Sequence, residues 1–469
     1  MKIPRQISLK KAATIILISV LLTAIGSYYA FAATPTSTFT ISPGIYPGAP
    51  SYTIWKEGNS YFAKNSNGKI EFSGTNASYV LIKAKENGDF IFIKAGVYEV
   101  NNQIAWDNNT VVMGEGTATV IRPTTTSLID GIFRINNAHN VTIANLMIDG
   151  DSVNRGVNEV LIDIRGSSQN ILVQNVFLKR ANQGIRITGS SSKVKIVSNT
   201  IYQCYYGILA CVGNPYVDQV IVANNHVYGT TNHYVSISFD RQIRNSMILN
   251  NIVEYPSHLG IAVASSENIT IANNEIVMKD GGVSGDAGVH VEGHATYGYS
   301  YNIKIENNRI IKGRFYGIEA FLTFNLTISN NEVYQAPKIG IMIGSCQSVI
   351  IAGNTVDSSG SNGIQVYNST VSIASKFILI SNNISKNNDI GQTGGSGIRI
   401  GEGTSYISLI GNACYDDRPP GSRTQNYGIS IAVTDAHIMV VGNLLTPNTD
   451  GGLDFTNGTS DIVASNMVS

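Results

Sequence analysis

The sequence predicts an all-β protein folded as a parallel β-helix, a solenoid of stacked coils. Three observations carry that prediction. A β-branched strand ending in Asn or Asn-Asn recurs through the chain (NVTIAN, KVKIVSN, NITIANN, NIKIENN, NLTISNN) at roughly the 20–35-residue period of a solenoid. Between its copies lies a second recurring strand, GIRIT, GILAC, GVHVE, GIEAF, GIMIG, GIQVY, GIRIG and GISIA among others. Along both, Val and Ile alternate with polar residues, so each strand has one apolar face. A single coil cannot bury that face. Stacking buries it and pairs each strand with the coils on either side.

In chain order, Lys2, Arg5, Lys10 and Lys11 precede an apolar run from Ala12 to Ala32, which closes on Ala30-Phe31-Ala32-Ala33. Residues 1–32 read as a signal peptide or, uncleaved, as a membrane anchor, since the run approaches the ~20 residues needed to span. Either way the remainder is expected outside the cytoplasm, at the cell surface or secreted. No later stretch is long and apolar enough to span. The triplets at Asn76, Asn108, Asn140, Asn268, Asn325, Asn368, Asn383 and Asn457 fit glycosylation in that compartment, although an Asn- and Thr-rich β protein also produces them by chance. Residues 33–75 read as a Thr-, Ser- and Pro-rich linker followed by short strands from Tyr52 to Phe72. From Asn76, ASYVLIKAKENG suits a short helix ended by Gly88. DFIFIKAGVYEV, NQIAWDN, TVVMGEG and TVIRP then read as successive strands, and the β-helix is expected over residues 76–469. Cys204 and Cys211 fit either a bridge across one coil or buried free thiols, and the four cysteines have no metal spacing.

The segments FIFIKAGVYEV (90–100) and NTVVMGEGTATVI (109–121) resemble the opening of the pectate-lyase-like superfamily. The resemblance covers most of the chain after the leader. It implies a right-handed β-helix whose open end is capped by the preceding helix. It implies no particular reaction. Polygalacturonase relatives carry N-T-D, D-D, G-H-G and R-x-K in order; here only Asp416-Asp417 occurs. Arg418-Pro419-Pro420-Gly421-Ser422-Arg423 fits the R-x-P-x-x-R of one pectate lyase family, but its place in a loop far from the central coils reads as coincidence. His290-Val291-Glu292 is loosely similar to the D-P-H-[DE] of alginate epimerase relatives. No Asp-rich calcium repeat occurs, so no metal site is expected and the cofactor stays unassigned.

The recurring asparagines, from Asn145 and Asn175 through Asn199, Asn225, Asn251, Asn274 and Asn308 to Asn466, are expected to stack as a structural ladder at the turns. On the Gly-Ile strands the residue after Ile should face solvent. That row reads Asp163, Arg186, Leu209, Ser236, Ala262, His290, Glu319, Met342, Gln365, Arg399, Ser430 and Asp454, with neighbours ~4.8 Å apart. Glu292 lies two residues along from His290. His233, His258 and Asp286 precede their strands, and His294 follows at a turn. Histidine beside carboxylates suits proton transfer near neutral pH, which makes His290, Glu292, Glu319, Asp286 and His258 the catalytic candidates, with His290 as the base. Tyr297, Tyr299, Tyr316 and the nearby Tyr301 could stack on sugar rings. Arg186 or Arg399, or else Arg314, could hold a substrate carboxylate. An outer sheet face requires polar residues in any case, and Tyr favours strands.

Two functions follow. One is an extracellular lyase or epimerase acting on acidic polysaccharide. The other is a non-catalytic surface protein that binds glycans, adheres or is purely structural. The expected partner is a polysaccharide or surface glycan. Lys+Arg 32 against Asp+Glu 32 gives no electrostatic case for nucleic acid. Membrane contact is expected only through the N-terminal segment. The last repeat, DIVASNMVS, leaves its coil open, which favours a homo-oligomer.

Overall fold

The computed structural model describes residues 48–468, except 125–129, 152–158, 212–215, 231–233, 280–284, 314, 369–372, 433–436 and 456–461. The leader, His233, Arg314, Asn457 and the centre of the 279–287 loop lie outside the described residues. No described helix is long and apolar enough to cross a membrane.

Tyr52–Glu57, Ser60–Asn65 and Ile70–Gly74 form an antiparallel meander, and the first of these also pairs in parallel with Phe90–Ile93. Helix α1 follows at Ala77–Glu86. It starts where Asn76 accepts a bond from the Tyr79 amide through its side chain, a common helix-opening device. Ala77, Val80, Leu81 and Ala84 recur at helical spacing and are buried, so α1 lies apolar face down on the first coil. Ser78 Oγ accepts from the Asn101 and Asn102 amides and ties α1 to that coil. Gly88 follows the helix because a Cβ there would come within 2.5 Å of Ser51 Cβ.

The rest is a parallel β-helix of three sheets. Among the described residues these hold 18 strands, the meander included, then 13 and 14. The first sheet carries the strands that precede the Asn turn, such as Glu267–Ala272. The second carries three-residue strands after it, such as Glu275–Val277. The third carries the Gly-Ile strands, such as Ala287–Glu292. Register is exact enough to stack like on like: Ile269, Ile303, Leu326, Val349 and Ile378 pair in succession, and all are buried. Each such side chain contributes roughly 1.5–3 kcal/mol on burial. All four cysteines are free, three of them buried, which selects free thiols over a Cys204–Cys211 bridge.

The asparagine ladder runs from Asn199 to Asn466. Each member donates its backbone N–H and its Nδ2 to the Oδ1 of the next, as Asn308 does to Asn331 (2.9 Å each), while Nδ2 also reaches a strand carbonyl of the preceding coil. Asn145 and Asn175 are not members, contrary to expectation. They occupy the preceding turn position, with φ of 54° and 52°, like Asn224 and Asn307 with φ of 57° and 56°. Leu146 and Val176 fill the ladder position in those two coils, and the Val176 amide donates to Asn199 Oδ1. An Asn-Asn pair thus divides two tasks. The first residue adopts the left-handed conformation, which Asn tolerates. The second satisfies buried backbone groups.

A second, exposed ladder links Asn245, Asn268, Asn302 and Asn325. Several glycosylation triplets are therefore structural positions: Asn76 caps α1, Asn268 and Asn325 stand in the exposed ladder, and Asn383 is buried in the inner one.

Replacing Asn308 with Ala leaves the Asn274 amide and the Ile271 carbonyl without their side-chain partner in a buried turn. The expected loss is about 1–3 kcal/mol of unfolding free energy. Thermal denaturation checks it, and an unchanged melting temperature would count against the ladder's role.

Candidate functional site

The row of the third sheet stacks in register as the sequence indicates, with two corrections. Asp163, Leu209, Ala262, Glu319, Met342 and Ser430 are buried rather than solvent-facing, because neighbouring side chains cover them. Register also places Ser238, not Ser236, between Leu209 and Ala262. Ser236 is fully buried, and its hydroxyl lies 3.2 Å from that of Thr230. Ser236 takes the place that Gly207 and Gly260 hold on the neighbouring strands, so the row position falls two residues later, at Ser238.

His290 pairs in register with Glu319 on the next coil. Its Nδ1 lies 2.6 Å from Glu319 Oε2, and its Nε2 lies 3.3 Å from Glu292 Oε2. The His290 side chain is 13% exposed and that of Glu319 4%, whereas Glu292 reaches solvent at 45%. Burial alone would lower the His290 pKa. The bonds to Glu292 and Glu319 outweigh it and raise the value from 6.5 to about 9. Glu292 shifts the other way, held down by its bond to His290 against the opposing effect of burial. With a carboxylate at each ring nitrogen, His290 is a double donor. It has no lone pair to offer a substrate in that state.

His258 differs. Its Nδ1 bonds Asp286 Oδ1, and Asp286 is fully buried. The ring is about one-third exposed, and Nε2 is the nitrogen that Asp286 does not occupy. This pair stands where the chain enters the third sheet. Asp286 precedes His290 by four residues, ~13 Å along an extended strand. The five candidates thus divide into two groups, His290–Glu319–Glu292 on the sheet face and His258–Asp286 at its edge.

The tyrosines divide as well. Tyr316 packs with Val235, Leu259, Ala262, Ala287 and Tyr206 in a small apolar cluster on the outer face. Burial, followed by the charge of Glu319, raises its hydroxyl pKa to about 12. Tyr297 lies beneath Arg241, whose guanidinium carbon is 4.6 Å from the ring centroid. Tyr299 and Tyr301 both pack on Phe324 and belong to the first-sheet side. Arg186 bonds Asp163 (2.8 Å), and Arg399 forms no ion pair with a described residue. Each stands four coils from His290, on opposite sides, at about 19 Å for a ~4.8 Å spacing.

Residues that the sequence did not single out also face this surface. Asp240 and Arg241 pair at 2.9 Å, and Tyr205 and Tyr206 both stack or tilt against Tyr234. The cue in the sequence is that Asp240 lies two residues beyond Ser238 on the same strand, the step that relates Glu292 to His290.

The long loops late in the chain are organised by their own carboxylates. Buried Asp416 accepts from the Arg418 guanidinium and from the Thr424 and Gln425 amides. Buried Asp389 accepts from the Thr393 and Gly394 amides. Arg418 and Asp416 are therefore accounted for structurally, which fits coincidence for the R-x-P-x-x-R letters. Among the described residues, no three His, Cys, Asp or Glu side chains cluster as a metal site.

A family model described as "Right handed beta helix region" matches residues 131–298 and 248–378, together more than half of the chain. The chain belongs to the right-handed β-helix family. No curated protein sequence matches it significantly. Among solved structures, the pre-mature gene product 12 of bacteriophage phi29 is similar at 16% identity and a TM-score of 0.64, over 79% of this chain and 55% of that one. The catalytic domain of a GH87 α-1,3-glucanase is similar at 13% identity and 0.51, over 84% and 70%. A mutant of the periplasmic alginate epimerase AlgG is similar at 13% and 0.50, over 73% and 78%. At such identities the likeness is one of fold.

The His290 cluster predicts a pH dependence of stability. A histidine whose pKa rises on folding from 6.5 to about 9 contributes stability that is complete below about pH 6.5 and is lost as pH climbs through about 9. Thermal melts from pH 6 to pH 10 should therefore show a decline that His290→Gln removes. A parallel decline in both proteins would contradict the shift.

Proposed function

We propose that this protein engages polysaccharide along the outer face of its third sheet, outside the cytoplasm, with the coils of Ala262, His290 and Glu319 at the centre of the contact. The observation that carries the reading is the pair of histidines, each oriented by a buried carboxylate, on neighbouring coils beside tyrosines. Burying a carboxylate costs free energy unless it is paired. A sheet face that needed only to be wettable has no use for buried Glu319 or Asp286. Tyrosine rings beside such groups offer apolar faces and hydroxyls together, which suits sugars. Two solved structures of the same fold are, by name, a glucanase and an alginate epimerase, which fits the reading without deciding it.

The finer proposal is proton-transfer chemistry of the lyase or epimerase type. A base must take the proton next to a uronate carboxylate, and a donor must return one. His290, donating at both nitrogens, is poorly placed as that base. His258 is better placed, because Asp286 fixes its Nδ1–H and orients Nε2 as the acceptor. Tyr316, kept protonated up to about pH 12, can donate. The alternative, non-catalytic glycan binding, is favoured by one specific feature: Arg186, Arg241 and His290 are all internally paired.

Incubation with uronate polymers, read by unsaturated ends and by product NMR, tests the chemistry. Turnover should fall on the order of 10²–10⁴-fold in His258→Ala while binding persists. Binding without turnover on any acidic polymer would select the non-catalytic reading. The absence of both would reject polysaccharide as the partner.

A further inference from the structure

We propose that Arg134, Arg165 and Arg186 form an anion-binding subsite that grips a carboxylate or sulfate group of the polysaccharide, its nearest member, Arg186, four coils from His290. The proposal rests on the glycan-engaging reading above and adds the charge of the ligand and the place where it is held.

Ala105, Arg134, Asp163 and Arg186 are in register on successive strands of the third sheet, so Arg134 and Arg186 flank Asp163 in the same outward row as His290. Arg165 lies two residues beyond Asp163 on the same strand and therefore on the same face. Asp163 is fully buried, accepts from Arg186 Nε at 2.8 Å and forms an ion pair with Arg165. Its Oδ1 is engaged by Arg186, whereas its buried Oδ2 has only the ion pair with Arg165 and no hydrogen-bond partner.

The other carboxylate, Asp130, is different in kind. Its side chain is 61% exposed, and it meets Arg165 and Arg186 only at 3.4 and 3.7 Å. An exposed pair of that geometry adds little. Asp130 is held close by Gly131, whose φ of +114° and near contact with Asp163 leave no room for a Cβ. Asp130 therefore occupies the position that an external anion would take.

Arg134 completes the argument. It donates from Nη1 to the neutral Gln103 at 3.0 Å and forms no ion pair with any described carboxylate. Its Nε and that of Arg165 are buried without a hydrogen-bond partner. Three guanidinium groups thus face two carboxylates, one of them loosely held. In a chain whose charges balance overall, this is a local cationic excess. The guanidinium is planar and forked, a shape matched by carboxylate and sulfate. Between this cluster and His290 the row carries Leu209, Ser238 and Ala262, none of them charged. A polymer lying along the row could reach both places.

The test is titration of the full chain with oligogalacturonate, dextran sulfate and uncharged dextran at two salt concentrations. The two anionic polymers should bind, more weakly at the higher salt. Arg134→Gln should lose about tenfold in affinity for both, the effect of one charge-assisted hydrogen bond. Asp130→Asn should tighten binding by removing the internal competitor, and it is exposed enough to leave the fold intact. Equal affinities in Arg134→Gln and the unaltered protein would overturn the subsite, as would Asp130→Asn failing to tighten. Dextran binding as tightly as the anionic polymers would overturn the subsite while leaving the glycan-engaging face standing. Binding to none of the three would overturn both.

Discussion

Every coil of a β-helix must turn sharply three times, and at one of those turns the backbone passes through the interior where no strand can satisfy it. The ladder from Asn199 to Asn466 meets that constraint. Each side chain spends its carbonyl on the amide groups of one neighbouring coil and its amide on a strand carbonyl and the next asparagine. The contacts repeat without drift because the turn is the same length in every coil. That sameness fixes the register of all three sheets. A residue on one Gly-Ile strand therefore lies one strand spacing from its counterpart on the next, whatever the lengths of the intervening loops.

The surface chemistry depends on this regularity. His290 meets Glu319 because they are register partners, although 29 residues separate them in the chain. Asp163 meets Arg186 for the same reason across 23 residues. The scaffold places charged and aromatic groups in a row, and loops that enter the third sheet add His258 and Asp286 at its edge. Variation on the row is free of the core, since the inward positions of the same strands hold only Ile, Val and Ala around the His290 site. The later loops use their buried aspartates to hold their own shape.

Much of this was legible in the sequence, for a physical reason. A solenoid repeats its burial pattern, and repetition is what a sequence displays best. The sheets and the pairing of His290 with Glu319 follow from period and alternation, and α1 from its place between Asn76 and Gly88. The errors arose where the period was locally broken. A lone Asn in Asn145 or Asn175 gives no sign of whether it is the first or second of a pair, and Leu146 and Val176 had taken the inner place. Ser236 stands where the neighbouring strands have glycine, so its strand lacks the Gly-Ile signature that sets the count. The role of His290 was not legible either. Adjacency to two carboxylates reads equally as a base and as a fixed double donor, and only the placement of oxygens at both ring nitrogens separates them. Arg134 gave no signal, because its pairing with neutral Gln103 rather than with a described carboxylate shows only in the folded chain.

The central claim is that the two site histidines are held in different arrangements, His290 by carboxylates at both nitrogens and His258 at Nδ1 alone. Nitrogen-15 NMR of the histidine rings tests it most directly, with His290→Gln and His258→Gln to assign the signals. Near pH 8 the account predicts that His290 carries protons on both nitrogens, in keeping with a pKa raised to about 9, and that the neutral form of His258 holds its proton on Nδ1, against Asp286. A neutral His290 ring at that pH, or a neutral form of His258 with its proton on Nε2, would contradict it.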